Sequence, residues 1–323
     1  MTTDNDAFTG SRRRPWNELP SSVRTGIEDV LGGTVAGATS QKGGFSDGLA
    51  ARLRLADGRR AFAKAVDAAA APGVAAHHRR EVEVNGGLPP GAPVPRLLGA
   101  YDANGWVALV FEDVDGALPV QPWREGELVR VLDAMTDLSE RLTPAPRLNS
   151  AATSPRLGGW GRLVDSPRSL ARLAVVAPRA ARELDRHLAL EARLPEAIVG
   201  ETLAHGDLYP FNVLLTDERV VVVDWPHAWT GPAYADVVML LGSVALDGID
   251  PEPYAARHPL LRGVDPVAVD VLISAQAGFL LAAACSMDAS APRTDPRLEH
   301  AMTALGLASL RWLSLRPRRG PGR

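Results

Sequence analysis

The sequence predicts an α+β chain of two lobes, a smaller N-terminal one built on an antiparallel sheet and a larger, mainly helical C-terminal one. Three observations carry this. Short strand-like runs with turn signals between them fill the stretch from Thr34 to Phe111, with tight-turn pairs at Asp57-Gly58 and Asn104-Gly105. From about Glu125 onward the apolar residues recur at three- and four-residue steps, the period of helices packed on a core. A length of 323 residues is enough for two cores.

Composition narrows the class. Hydrophobic residues make up 46% and charged residues 23%, an ordinary globular balance, and a net charge of -3 argues against a generally nucleic-acid-binding surface. The single Cys285 excludes an intramolecular disulfide framework and, set in an apolar run, reads as a small core residue. Arg12-Arg13-Arg14 leads into Pro15-Trp16-Asn17-Glu18 and not into an apolar stretch, so it is not a secretion signal. Val271 to Met287 is apolar but short for a membrane span and contains Ser274, Gln276 and Ser286, which suits a buried helix. A cytoplasmic protein with no membrane or nucleic-acid partner is expected. Nothing here fixes the oligomeric state.

In chain order, residues 1–20 are expected to be disordered. The N-terminal lobe is expected over 21–115, the larger lobe over 116–316 and a basic tail over 317–323. Pro20-Ser21-Ser22 caps a helix running to Val30 and ended by Gly32-Gly33. Strands follow at Thr34 to Thr39, Leu49 to Leu55 and Arg60 to Val66, then a helix over Val74 to Leu88, with His77 and His78 solvated on it. Two further strands start near Pro93 and end at Phe111. In the larger lobe Leu128, Val131, Leu132, Met135, Leu138 and Leu142 mark an amphipathic helix. Thr143 to Gly161 reads as a long surface loop, either a plain connector or an approach to a substrate. Helices are expected at Pro167 to Val176, Pro178 to Leu194, Tyr234 to Leu246, Pro266 to Met287 and Asp295 to Leu315.

The chemistry concentrates in one stretch. His205-Gly206-Asp207 and Asn212 sit on a polar loop between apolar runs, and Val220 to Val223 then delivers Asp224. The turn at Asp217-Glu218-Arg219 folds the second run back beside Val213 to Leu215, which brings Asp224 next to Asn212. A carboxylate beside an amide carbonyl is a hard-oxygen pair suited to magnesium that keeps waters and phosphate oxygens. Asp207 can then accept or orient the proton of an attacking hydroxyl. Upstream, Gly43-Gly44-Phe45-Ser46 forms a Gly-rich turn whose N–H groups can approach phosphates closely. Lys64, flanked by small and apolar residues on a strand, points inward or into a cleft. Its buried charge needs a partner.

H-G-D-x-x-x-x-N followed by an apolar strand ending in Asp resembles the catalytic and metal loops of the aminoglycoside phosphotransferase family, over about residues 34–310. The resemblance implies the bilobal protein-kinase-like fold and ATP- and Mg2+-dependent transfer to a small-molecule hydroxyl, with the nucleotide between the lobes. It implies Asp207 as catalytic residue, Asn212 and Asp224 as metal ligands, and Lys64 on the phosphates. It places an ion-pairing Glu on the following helix, Glu81 in preference to Glu83, and a backbone hinge for adenine at Glu112 to Gly116, so that Glu112 and Val114 join the cofactor-binding set. Asp236 in Gly231-Pro232-Ala233-Tyr234-Ala235-Asp236 is implied to brace the catalytic loop, and His205 to be scaffold.

Two other functions compete for the same residues. A protein kinase needs a long activation segment with an A-P-E-like anchor, and only eleven residues separate Asp224 from Asp236. A nucleotide-binding regulator without catalysis would have lost the lysine, base or metal ligands, and all are present. The acceptor is open. The arginine-rich end departs from what a polycationic antibiotic calls for, and Trp160, Trp225 and Trp229 are not shown by the sequence to converge on a choline-like group.

Overall fold

A computed structural model describes residues 13–41, 48–148, 155–287 and 296–317. These fall into two compact units. The first takes the described residues of 13–119, 146–148 and 211–227, and the second takes the remainder.

The first unit is a sheet covered by a helix on each face. Helix α1 (Ser21–Leu31) precedes strands β1 (Val35–Ser40), β2 (Leu49–Leu55) and β3 (Arg60–Asp67); helix α2 (Pro72–Gly87) then leads to β4 (Leu97–Ala103) and β5 (Trp106–Glu112). All pairings are antiparallel, in the order β1-β2-β3-β5-β4. Alternation along β3 decides which face each residue serves. Ala61, Ala63 and Ala65 point to the side where Val23, Ile27 and Leu31 of α1 pack with Leu53, Leu55 and Val110. Phe62 and Val66 point to the other side, where Ala75, Val74 and Val82 of α2 pack with Leu109 and Phe111. Lys64 shares that second face by the same period of two. Helix α1 ends where expected: Gly32 takes φ 59°, and its N–H and that of Gly33 cap the last carbonyls.

Residues 13–20 correct the expectation of disorder. Trp16–Glu18 forms a 3-10 turn, Leu19 is buried, and Trp16 packs against the α1 side of the sheet, so enough apolar area is covered to hold the segment. His78 is also corrected. It belongs to the buried stripe Ala75, His78, Glu81 and Val84 of α2, spaced by three residues, while His77 is exposed.

The second unit is helical. It holds α3 (Glu125–Arg141), α4 (Trp160–Val164), α5 (Pro167–Val176), α6 (Pro178–Arg182), α7 (Leu184–Glu191) and α8 (Leu194–Ala197), then α9 (Ala235–Leu246), α10 (Glu252–Arg257), α11 (Pro266–Ser286) and α12 (Pro296–Leu315). Strands β6 (Thr202–Ala204) and β9 (Trp229–Gly231) pair antiparallel within it. Helix α11 is the axis. It is apolar on all sides, and α4, α5, α7, α8, α9 and α12 pack on it. It is long and apolar enough to cross a membrane, but most of it is buried by these neighbours, as a core helix would be. Cys285 is buried in the same core.

Three expectations about this unit change. The helix foreseen over Pro178 to Leu194 is broken at Glu183, where φ -97° and ψ 17° lie off the helical basin, and again at Ala192 and Arg193. The surface loop foreseen up to Gly161 ends early, because Gly158, Gly159 and Trp160 are buried against α11. The loop foreseen after Asp224 contains β9, and Glu252–Arg257 is a helix that was not foreseen.

Candidate active site

In the first unit Lys64 has its Nζ 2.8 and 2.9 Å from the two carboxylate oxygens of Glu81 and 2.5 Å from Oδ1 of Asp224. The choice between the two α2 carboxylates follows from helix geometry. Glu81 lies on the sheet-facing stripe, whereas Glu83, two residues on, turns away and pairs with Arg80 at 2.9 Å. Glu81 is nearly sealed, its side chain 2% exposed, whereas that of Asp224 is 42% exposed. Burial alone would strip the proton from Lys64, but the Asp224 and Glu81 carboxylates outweigh it and raise its pKa. Burial pushes Glu81 up to about 7 against the pull of Lys64, with the Asp224 charge adding to the rise. The two directions fit one picture: a single ammonium shared by two carboxylates remains charged, and the more buried carboxylate is the one under pressure to take a proton.

Asp224 itself sits at φ 71°, in a left-handed region that non-glycine residues seldom occupy. The hairpin before it supplies the constraint. Strands β7 (Val213–Leu215) and β8 (Val220–Val222) pair antiparallel with Val213 opposite Val222. The next rung joins the Val223 N–H to the Asn212 carbonyl at 3.0 Å, so Asn212 and Asp224 leave the same end of the ladder. Beyond it Trp225 is buried and donates from Nε1 to the Val222 carbonyl at 3.0 Å, which locks the turn. Asn212 is buried at the end of the 3-10 turn Pro210–Asn212. Among the described residues no cluster of three or more His, Cys, Asp or Glu could hold a metal. One carboxylate and one carboxamide at a strand end do fit magnesium, which keeps waters and takes phosphate oxygens as its other ligands.

The remaining residues of this half divide. Gly43, Gly44, Phe45 and Ser46 lie outside the described residues. Glu112 ends β5 opposite Ala61, and its carboxylate lies 3.7 Å from Arg219 and 3.8 Å from Arg96. Val114 is buried, and its carbonyl accepts from Arg52 Nη2 at 2.7 Å. Arg52 and Arg60 also clasp Asp113, at 3.1 and 2.5 Å, so two strand arginines fix the backbone of this segment. His227 lies edge-on to His77, with ring centroids 4.7 Å apart.

In the second unit the loop that carries Asp207 is held from α9. Asp236 accepts from the His205 N–H at 2.7 Å and from the Gly206 N–H at 3.0 Å. Burial raises the Asp236 pKa, with the His205 ring and these two donors pulling against it. Gly206 takes φ 76°, and the Asp207 N–H donates to His205 Nδ1 at 3.2 Å, so the imidazole acts locally as scaffold. Burial, with the Asp207 charge, pushes Tyr209 up to about 12, and its hydroxyl accepts from Gln276 at 3.2 Å.

The Asp207 carboxylate is itself engaged. Arg156 Nη1 lies 2.9 Å from Oδ1, and the guanidinium stacks 5.0 Å over the Phe279 ring of α11. Sequence reasoning missed Arg156. The only signal was that it falls in a Pro-, Gly- and Ser-rich stretch long enough to reach elsewhere, and composition alone does not say what it reaches.

The family model described as the phosphotransferase enzyme family (APH) matches residues 44–267, well over half of the chain. The chain belongs to the aminoglycoside phosphotransferase family. Membership makes it a phosphotransferase acting on hydroxyl groups of small molecules. No curated protein matches the sequence. Solved structures agree on the protein-kinase-like fold. A thermostable mutant of aminoglycoside phosphotransferase APH(4)-Ia with ADP and hygromycin B has a TM-score of 0.58 at 16% identity, over 90% of this chain and 99% of that one. Spectinomycin phosphotransferase APH(9)-Ia with ADP and spectinomycin has a TM-score of 0.58 at 12% identity, over 91% and 98%. A choline/ethanolamine kinase family protein from Mesorhizobium loti has a TM-score of 0.53 at 18% identity, over 92% and 95%. At such identities the likeness is one of fold. This phosphotransferase shares it with proteins whose named acceptors differ widely.

Proposed function

We propose that this member of the family transfers the γ-phosphoryl group of ATP to a hydroxyl of a small molecule, with magnesium, in the cytoplasm. The observation that carries the reading is the sharing of Lys64 between Glu81 and Asp224. A sealed carboxylate aims the ammonium, and a second carboxylate, more exposed, lies at the end of a β-ladder beside Asn212. Structural ion pairs seldom need the second carboxylate at positive φ.

Lys64 holds phosphate oxygens, and Glu81 keeps its ammonium from swinging away. Asn212 and Asp224 are the magnesium ligands. The ion, when bound, offsets the charge that develops on the phosphate oxygens. The backbone of Glu112 to Val114, pinned by Arg52 and Arg60, takes the adenine edge. Asp207 orients the acceptor hydroxyl and takes its proton as the new O–P bond forms and the bond from the γ-phosphorus to the bridging oxygen breaks, releasing ADP. Positioning and charge neutralisation are most of what this transfer asks of a protein.

The test is a panel of hydroxylated acceptors, including aminoglycosides, sugars, amino alcohols and hydroxy acids, assayed for ADP formation with and without magnesium. Asp207→Asn is expected to reduce transfer at least a hundredfold while leaving the Kd for ATP within about twofold. Transfer that survives in Asp207→Asn refutes the assignment of the base. ATP binding in the wild type with no transfer to any acceptor turns the reading toward a regulator.

A further inference from the structure

The surroundings of Asp207 are cationic. Arg156 lies 2.9 Å from its carboxylate, and Arg162 of α4 stacks on the same Phe279 ring, the two guanidinium carbons being 5.0 and 5.9 Å from its centroid. One ring thus presents two guanidinium groups. The Glu191 carboxylate of α7 is spent on backbone: it accepts from the Gly159 N–H at 2.6 Å and the Gly161 N–H at 3.2 Å. Arg162 is exposed, and its hydrogen bond to the Gly158 carbonyl is long at 3.4 Å. One guanidinium, that of Arg156, therefore stands on the carboxylate that the reaction needs for a hydroxyl, and a second, that of Arg162, shares its aromatic ring.

We propose that the acceptor carries a carboxylate close to the hydroxyl that is phosphorylated, bound by Arg156 and Arg162, so that hydroxy acids are favoured and polycations are disfavoured. The proposal rests on the phosphotransfer reading above. A guanidinium stacked on an aromatic face is already fixed in plane, which suits two-point binding of a planar carboxylate. The same pair repels an ammonium brought to the same place, and like charges held close cost a binder dearly. Arg156 also has a reason to leave Asp207: an incoming carboxylate replaces the one it gives up. The base is then released only when an acceptor of the right charge arrives. No new bond-making step is involved, because the carboxylate binds and the hydroxyl reacts.

Three acceptors that share a vicinal diol and carry a negative, neutral or positive group on the third carbon make the test: glycerate, glycerol and 3-aminopropane-1,2-diol. ADP formation with ATP and magnesium, and calorimetric binding to the ADP-loaded protein, are measured for wild type, Arg156→Gln and Arg162→Gln. In the wild type, kcat/KM or affinity for glycerate is expected to exceed that for the amine by at least tenfold. Arg162→Gln is expected to reduce that ratio to about threefold or less, chiefly through KM for glycerate. Equal handling of the three probes, preference for the amine, or failure of glycerate to bind or react overturns the proposal. So does an equal fall in kcat for all three in Arg156→Gln with KM unchanged, since that places the arginine on the transferred group. If amine-bearing acceptors are phosphorylated and carboxylate-bearing ones are not, phosphotransfer stands and only the charge inference falls. Absence of ATP binding and of all transfer strikes the functional reading itself.

Discussion

Lys64 holds two carboxylates together, and the more buried of them, Glu81, meets its ammonium with both oxygens. Replacing Lys64 by Ala leaves Glu81 and Asp224 facing each other. Breaking a buried pair from one side costs on the order of 3–5 kcal/mol. The cost has a pH signature. Burial already raises Glu81 from 4.5 to about 7 with Lys64 in place, and loss of Lys64 removes the chief force pulling it down. A carboxyl with a folded pKa above its unfolded value binds its proton more tightly when folded. Its contribution is therefore complete below pH 4.5 and is lost as the pH rises to 7 and, in the variant, beyond. Urea midpoints of Lys64→Ala are expected to be higher at pH 5 than at pH 8, and Glu81→Gln in that background to remove most of the difference. At pH 8 Lys64→Ala is also expected to lose at least a hundredfold in transfer. At this scale the sequence was informative where chemistry dictates residue type, as with a lysine on an apolar strand, whereas Glu81 ahead of Glu83 came from the family resemblance. It was silent on Arg156, whose importance is a matter of where an irregular segment lies and not of what precedes or follows it in the chain. His78 was misread because an amphipathic stripe that includes a polar residue looks in sequence like a solvated face.

Among the elements, α9 holds the loop that carries Asp207. Asp236, at its first turn, ties down two successive N–H groups of the loop that carries Asp207. A carboxylate can accept both. An amide in the same place accepts one and presents its own N–H groups to the other. Asp236→Asn is expected to lower kcat about tenfold to a hundredfold, to leave ATP affinity within about twofold, and to cost about 1–3 kcal/mol in unfolding free energy. Steady-state kinetics beside calorimetric ATP titration separates this from plain destabilisation, which would move both. The elements themselves were legible to the degree that they were punctuated. The hairpin of β7 and β8 was visible because two apolar runs flank a charged turn, and α1 because Gly32-Gly33 stops it. The run from Pro178 to Leu194 was read as one helix because its residues are good helix formers throughout. The structure breaks it at Glu183, which leaves the helical basin at φ -97° and ψ 17°, and helix propensity carries no sign of that. Strand β9 is three residues long, and its pairing with β6 is what makes it a strand.

Across the whole molecule, each compact unit buries a histidine in its neutral form. His78 in the first is brought down to about 4, by burial above all and then by the Lys64 ammonium. His187 in the second is brought down to about 4, again chiefly by burial and then by Arg186. It stacks on Trp160 with ring centroids 4.3 Å apart, and its Nδ1 is 3.0 Å from Ser274 Oγ of α11. A histidine whose folded pKa lies below its unfolded 6.5 prefers to remain neutral in the native state. Its contribution is whole above pH 6.5 and drains away as the pH falls toward 4. Each such group can withdraw on the order of 2–3 kcal/mol across that window. Acid is therefore expected to weaken both units within the same pH interval, beginning above the range in which ordinary carboxylates titrate. His187→Phe keeps a flat ring on Trp160 but cannot take a proton. Stability measured by urea unfolding between pH 7 and pH 4.5 is expected to fall less steeply in that variant, the difference approaching one proton's worth, about 1.4 kcal/mol per pH unit, in the middle of the window. Equal slopes for variant and wild type would mean that His187 is already protonated in the fold, or that it titrates as freely there as in the unfolded chain. Either result removes the buried neutral imidazole from the account of how α4, α7 and α11 are held together.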